Sequence, residues 1–199
     1  MKFSFAVALL ATLLPNMVAA APTKPVYSAV GQFSVARKPN GTWSYLATGS
    51  LLRYVNSVCL ANGLICRWNG KPTCNSASIL ASRTGRPVTW LTIRLPADHY
   101  DMDPQAIANV ATRWTAPKAG TYQIQGDFLG IDTTGNRHPV AIVLNGQKLY
   151  SNVIARFGQR DGFNMTRKLG RGANVDFVVS TGRTCYYLGT GLKAIVKTL

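Results

Sequence analysis

The sequence contains no glutamate. Its acidic residues are seven aspartates, at positions 98, 101, 103, 127, 132, 161 and 176, against 22 Lys plus Arg, which gives a formal charge of +15 over 199 residues. Glu is among the better helix formers, so its absence argues against a helical enzyme. Beyond residue 20 no apolar run approaches the roughly 20 residues of a membrane-spanning helix, which excludes a helical span from the mature chain. Histidine is scarce: only His99 and His138 could serve a metal or nucleophilic site. There is no Gly-x-Ser-x-Gly elbow and no Gly-rich phosphate loop leading into a helix, which disfavours serine-hydrolase and nucleotide chemistry. What is present is 47% hydrophobic and 10% aromatic residues, enough for a core and far from a disordered composition. One domain over residues 21–199 is expected.

Residues 1–20 read as a secretory signal: Lys2 supplies the positive start, Phe3 to Leu14 the apolar stretch, and Val18-Ala19-Ala20 a small-residue cleavage site. Lys2 is the one charged residue there, so the mature chain keeps +14. Export, to the cell surface, the periplasm or the medium, makes two disulfides the expected state of Cys59, Cys66, Cys74 and Cys185. Zinc is disfavoured, because six and seven residues separate the first three cysteines where zinc sites use two to four. Two Asn-Gly turn signals between Cys59 and Cys74 suggest a stapled hairpin excursion tied by Cys185 to the last strands. The pairing itself stays open at this level.

Alternation is clearest from Thr121 to Phe128, where Tyr122, Ile124 and Phe128 fall on one face and Gln123, Gln125 and Asp127 on the other. Val140 to Leu144 meets Asn145-Gly146 and then Gln147 to Tyr150, the pattern of a two-residue hairpin. Similar runs at 27–35, 43–47, 88–95, 108–115, 162–169, 175–180 and 192–196 bring the expected number to about eight to eleven strands. The expected fold is therefore all-β, a jelly-roll-like antiparallel β-sandwich with a disulfide-stapled loop excursion. Residues 56–86 and 96–106 look irregular, the kind of insertion in which binding residues sit.

Several segments in order carry a resemblance: Phe33, Pro39 to Tyr45, Arg113 to Tyr122, Gly130-Ile131-Asp132, Val143 to Gly146, Val175 to Val179 and Gly191-Leu192. Together they resemble a family of secreted bacterial β-sandwich domains, jelly-roll-like and suggestive of carbohydrate-binding modules. The resemblance covers most of the mature chain and implies a fold without a settled activity. This chain departs from the family pattern at Leu46, where the family has Gly, and at Leu188 and Gly189, where it has an acid. No metal or sugar role at that acidic position carries over.

Chemistry has few candidates. Asp101, Asp103 and His99 form the best polar set for a hydrolase, and Asp101-x-Asp103 could offer oxygens to calcium, though a solvated loop accounts for the same residues. Binding has more support. If 88–95 is one strand, Leu91, Ile93 and Leu95 share a face and Trp90 lies opposite them beside Arg94, where a ring can stack on sugar and a guanidinium can take a carboxylate. Burial on both faces is the bland alternative. Trp68, preceded by Arg67 in the cysteine excursion, is the second candidate. Arg156, Arg160, Arg167 and Arg171 supply the excess charge that attracts polyanions, or simply keeps an exported protein soluble.

The sequence thus points to a secreted, non-catalytic binding protein for carbohydrate or acidic polysaccharide, with an anionic cell surface as a further partner and nucleic acid a weaker one. A structural or adhesive envelope protein making protein contacts is the alternative, and an Asp/His hydrolase the third.

Overall fold

A computed structural model describes residues 23–34, 41–47, 50–52, 54–59, 65–69, 78–82, 84–104, 109–134, 137–180 and 189–199. The alternating run around Tyr122 becomes the longest strand, β11 (Gly120–Gly130), and it organises the larger sheet. That sheet has the order β14 (Arg160–Leu169), β11, β16 (Thr190–Thr198), β9 (Tyr100–Asp103), β6 (Ser78–Ser82), β5 (Ile65–Asn69), β4 (Tyr54–Cys59). β1 (Val26–Ser28) pairs with the far half of β16. The second sheet runs β13 (Gln147–Ile154), β12 (His138–Leu144), β15 (Asn174–Val179), β10 (Val110–Thr115), β2 (Trp43–Ala47), β3 (Ser50–Leu51). Every described pairing is antiparallel.

The two sheets enclose one aromatic core. Tyr122, Phe128, Phe163 and Tyr100 project from the larger sheet onto Trp43, Tyr45, Trp114 and Phe177 of the smaller. Rings meet across the layers: Trp114 lies 5.0 Å from Tyr122 and Phe163 lies 5.5 Å from Phe177, centroid to centroid. Trp114 and Tyr122 are both buried in this core. One open side is closed by polar chemistry, since Tyr150 Oη and Asn152 Nδ2 on β13 both donate to the Asp161 carboxylate on β14.

Asn145 and Gly146 carry φ of 47° and 87° and make the expected two-residue hairpin between β12 and β13. Other expectations are corrected. Residues 88–95 are not one strand but a hairpin, β7 (Val88–Trp90) and β8 (Ile93–Leu95), turning at Leu91-Thr92. It packs over the outer face of the larger sheet through small apolar clusters of Leu80 with Val88 and of Ile93, Leu95, Leu129 with Ile131. The expected irregular stretches also contribute sheet. β5 and β6 continue the larger sheet through the cysteine-rich region, and β9 sits between β6 and β16. Short polar strands of this kind earn their pairing from neighbours more than from their own pattern. Cys74 and Cys185 lie outside the described residues, as does the expected signal segment at residues 1–20, and with them the expected disulfide pairing.

Candidate functional site

The hairpin separates the two residues expected to act together. Trp90 pairs with Ile93, and Thr89 pairs with Arg94, so Trp90 shares a face with the apolar residues it was expected to oppose. It is half-buried against both small clusters. Arg94 points the other way, exposed, with Nη1 donating to the carbonyls of Leu91 at 2.8 Å and Ile93 at 3.2 Å. Trp68 and Arg67 lie on β5, where they pair with Ile79 and Leu80 of β6. Their side chains lie outside what is described.

The arginines are spread rather than gathered. Arg160 and Arg167 lie toward opposite ends of the ten-residue strand β14, Arg156 in the turn before it and Arg171 in the turn after. At about 3.3 Å per residue that strand alone separates the two ends by roughly 30 Å. Arg160 Nη1 is bound to Asp127 Oδ2 at 2.6 Å, and Arg167 Nη1 donates to its neighbour's carbonyl at Thr166.

The Asp/His set does not assemble into a hydrolytic site. His99 is fully buried, with Nδ1 2.8 Å from Asp98 Oδ1 and Nε2 2.9 Å from Asp127 Oδ2. Both ring nitrogens thus lie against carboxylate oxygens, and none is left for substrate. Asp101 is buried beneath the β7–β8 hairpin, where burial first, then the neighbouring Asp103 and Asp132, push its carboxyl well above the usual range. Among the described residues no group of three or more His, Cys, Asp or Glu is placed to hold a metal ion.

The unusual surface is one the sequence reading missed, the outer face of the smaller sheet. Register places Leu46, Ala111, Val178, Ala141 and Ser151 side by side across five strands. The adjacent row, two residues along on four of the strands and three on β13, where the register shifts at a bulge, is Ser44, Arg113, Asp176, Val143 and Lys148. Outward positions of a solvated sheet are normally polar. The larger sheet obeys this at Thr121, Gln123, Gln125, Asn164 and Thr166. The smaller sheet puts aliphatic residues there instead: Ala111, Ala141, Val143 and Val178 are half-buried, and Leu46 beside them is buried.

The result is a trough. One groove of about 330 Å³ is lined by Leu46, Ala111, Arg113, Asp176 and Val178, and a second of about 490 Å³ by Ala141, Lys148, Ser151, Asn152 and Val153; both touch Val143 and Val178. In the trough floor Arg113 holds Asp176 by two parallel bonds, Nε to Oδ1 at 2.7 Å and Nη2 to Oδ2 at 2.8 Å. That hydrogen bonding raises the Arg113 pKa above the usual value, so the guanidinium is a fixed cation. The only sequence signal for this face was the continuous apolar run from Val140 to Leu144, where alternation would have given polar outward residues.

No protein-family model matches the chain, and no curated protein matches it. Among solved structures it is similar, at low TM-score, to a family 35 carbohydrate-binding module from Paenibacillus barcinonensis (18% identity over 51% of this chain and 77% of that one, TM-score 0.32). It is similar also to a family 35 carbohydrate-binding module from Clostridium thermocellum (14% identity, 78% of this chain and 92% of that one, TM-score 0.34). A third is the enzymatically active domain of a bacteriophage tailspike protein (12% identity, 79% of this chain and 19% of that one, TM-score 0.34).

Proposed function

We propose that this is an exported, non-catalytic binding protein that holds acidic carbohydrate in the trough of the smaller sheet. The observation that carries the reading is the pair of neighbouring rows, one aliphatic and one with Arg113, Asp176 and Lys148. A sugar ring offers C–H groups on its faces and hydroxyl or carboxylate groups at its rim, and a site for it needs an apolar floor with a few fixed polar groups. Ala111, Ala141, Val143 and Val178 are small enough to admit a ring. Arg113 spends Nε and one Nη on Asp176, and the fork's other donors remain for a ligand oxygen. All these residues stand on paired strands, so the site is preformed.

The test is binding of the oxidised protein to polygalacturonate, alginate and neutral dextran at about 0.1 M and about 0.5 M salt, between which the Debye length falls about twofold. Salt-resistant binding to one acidic glycan is expected, weakened at least tenfold by Ala141→Trp, which fills the trough from an outward position and leaves the melting temperature near that of the parent. Equal binding by parent and Ala141→Trp overturns the trough assignment. If binding to every polyanion disappears with salt, the basic surface acts alone, and an envelope protein making protein contacts becomes the better reading.

A further inference from the structure

We infer that one end of the sandwich docks on an anionic lipid bilayer, with Leu91 and Phe157 as apolar prongs. This surface is separate from the trough and does not depend on what the trough holds.

Among the described residues the exposed large hydrophobics are Val26, Leu91, Phe157 and Leu199. Val26 and Leu199 lie near the ends of the described chain, whereas Leu91 (76% exposed) and Phe157 (48% exposed) each sit at the tip of a turn. The two turns are neighbours. The β7–β8 tip is tied to the segment after β11 by Thr133 N donating to Thr92 O and Arg94 N donating to Ile131 O. The turn at 155–159 is tied to the end of β11 by Gly130 N donating to Gln159 O and Gly158 N donating to Gly130 O. Residues 130 and 133 are at most about 10 Å apart along an extended chain, so both prongs project from the same end.

Leu91 is there at a conformational cost. Its φ is 51°, a region that Gly and Asn enter easily and that a branched apolar residue rarely occupies. The chain therefore holds a leucine, strained and solvent-facing, where a turn alone would be better served by asparagine. Phe157 follows a similar logic: the turn needs Gly158 at φ 75°, but nothing in it needs an aromatic ring in water.

Cations surround the prongs. Arg94 and Arg156 are exposed, and Arg137 is exposed beside the β12–β13 end, next to His138, which pairs with Ile154. None of the three is in an ion pair among the described residues. Arg160 is bound to Asp127 and adds less. The nearby Asp132 is buried and turned inward, its Oδ1 accepting from Thr134. Apolar side chains ringed by uncompensated arginines match a surface whose outer layer is anionic and whose next layer is hydrocarbon. A soluble polyanion would use the arginines and gain nothing from the prongs, which is why the bilayer is favoured.

The experiment is cosedimentation with vesicles of phosphatidylcholine alone and of phosphatidylcholine with phosphatidylglycerol, with heparin binding as the soluble comparison. The variant is Leu91→Asn with Phe157→Ser, both at exposed turn positions, and Asn suits the left-handed conformation at 91. The expected result is binding to phosphatidylglycerol vesicles that falls at least tenfold in the double variant, with heparin binding and melting temperature unchanged. Vesicle binding that survives the double substitution, or that is missing in the parent, overturns the proposal. A parallel loss on vesicles and heparin does so too, because the prongs would then serve any polyanion.

Discussion

At the scale of single residues, Asp101 shows how a group can be tolerated against its own chemistry. Its side chain is buried and Oδ1 has no hydrogen-bond partner. Burial, then Asp103 and Asp132, raise its pKa well above 3.8, and a backbone bond from Thr190 offsets part of this. The folded protein therefore keeps a proton that the unfolded chain releases near its ordinary value. The stability this residue contributes is fully present below that value and is lost as pH rises through the raised one. Asp101→Asn removes the charge that folding must avoid while keeping the shape. Its melting temperature is expected to exceed the parent's at pH 8, by about 2–4 °C for each kcal/mol recovered, with the difference shrinking toward pH 4. A variant that melts at or below the parent across that range would mean the ionised carboxylate is stabilised in the fold.

At the scale of elements, β11 carries the sandwich because both of its edges are paired, with β14 and with β16. Close pairing is bought at Gly126, whose φ is 155° and where an added Cβ would lie 1.8 Å from the Lys193 carbonyl oxygen and 2.9 Å from Phe163 Cζ. Gly126→Ala is expected to cost on the order of 3 kcal/mol in denaturant unfolding. Gly162→Ala, in the partner strand, would meet only the Gly126 carbonyl at 3.9 Å and is expected to stay within about 0.5 kcal/mol of the parent. Equal losses at both sites would show that strand propensity, not the close approach, governs this pair. β11 and the Asn145-Gly146 hairpin were legible in the sequence because period and turn chemistry agree there. The β7–β8 turn was not, since Leu91-Thr92 carries no turn residue, and that silence is what misassigned Trp90 to the wrong face. The trough was illegible for another reason. An outward valine on β12 or β15 looks like a core valine until register shows which strands flank it and that nothing described covers it.

At the scale of the molecule, strands of the larger sheet are joined by a chain of polar contacts through Lys193, Asp98, His99, Asp127 and Arg160. It runs from the β8–β9 connection across β16, β11 and β14, so it clamps the segment that leads into β9 onto the sheet. The Lys193 hydrogen bond, with His99 beyond it and against some burial, lowers the Asp98 carboxyl to about 2. Burial pushes Asp127 up, but His99 and Arg160 outweigh it and leave that carboxyl below its ordinary value. Groups lowered in this way contribute stability above their unfolded pKa and lose it as pH falls through the folded one. The clamp thus weakens from about pH 4 downward, the opposite slope to that of Asp101. Protonating aspartates in a chain already at +15 adds self-repulsion in the same direction. Stability should therefore peak between the two titrations and fall steeply between about pH 4 and pH 2. His99→Gln breaks the clamp at its buried centre, where losing a buried hydrogen-bonding partner costs about 1–3 kcal/mol. Thermal unfolding followed from pH 7 to pH 2 should show this variant melting lower at neutral pH, with a shallower fall on the acid side. A variant whose acid limb parallels the parent's would separate the clamp from acid sensitivity and leave self-repulsion as its cause.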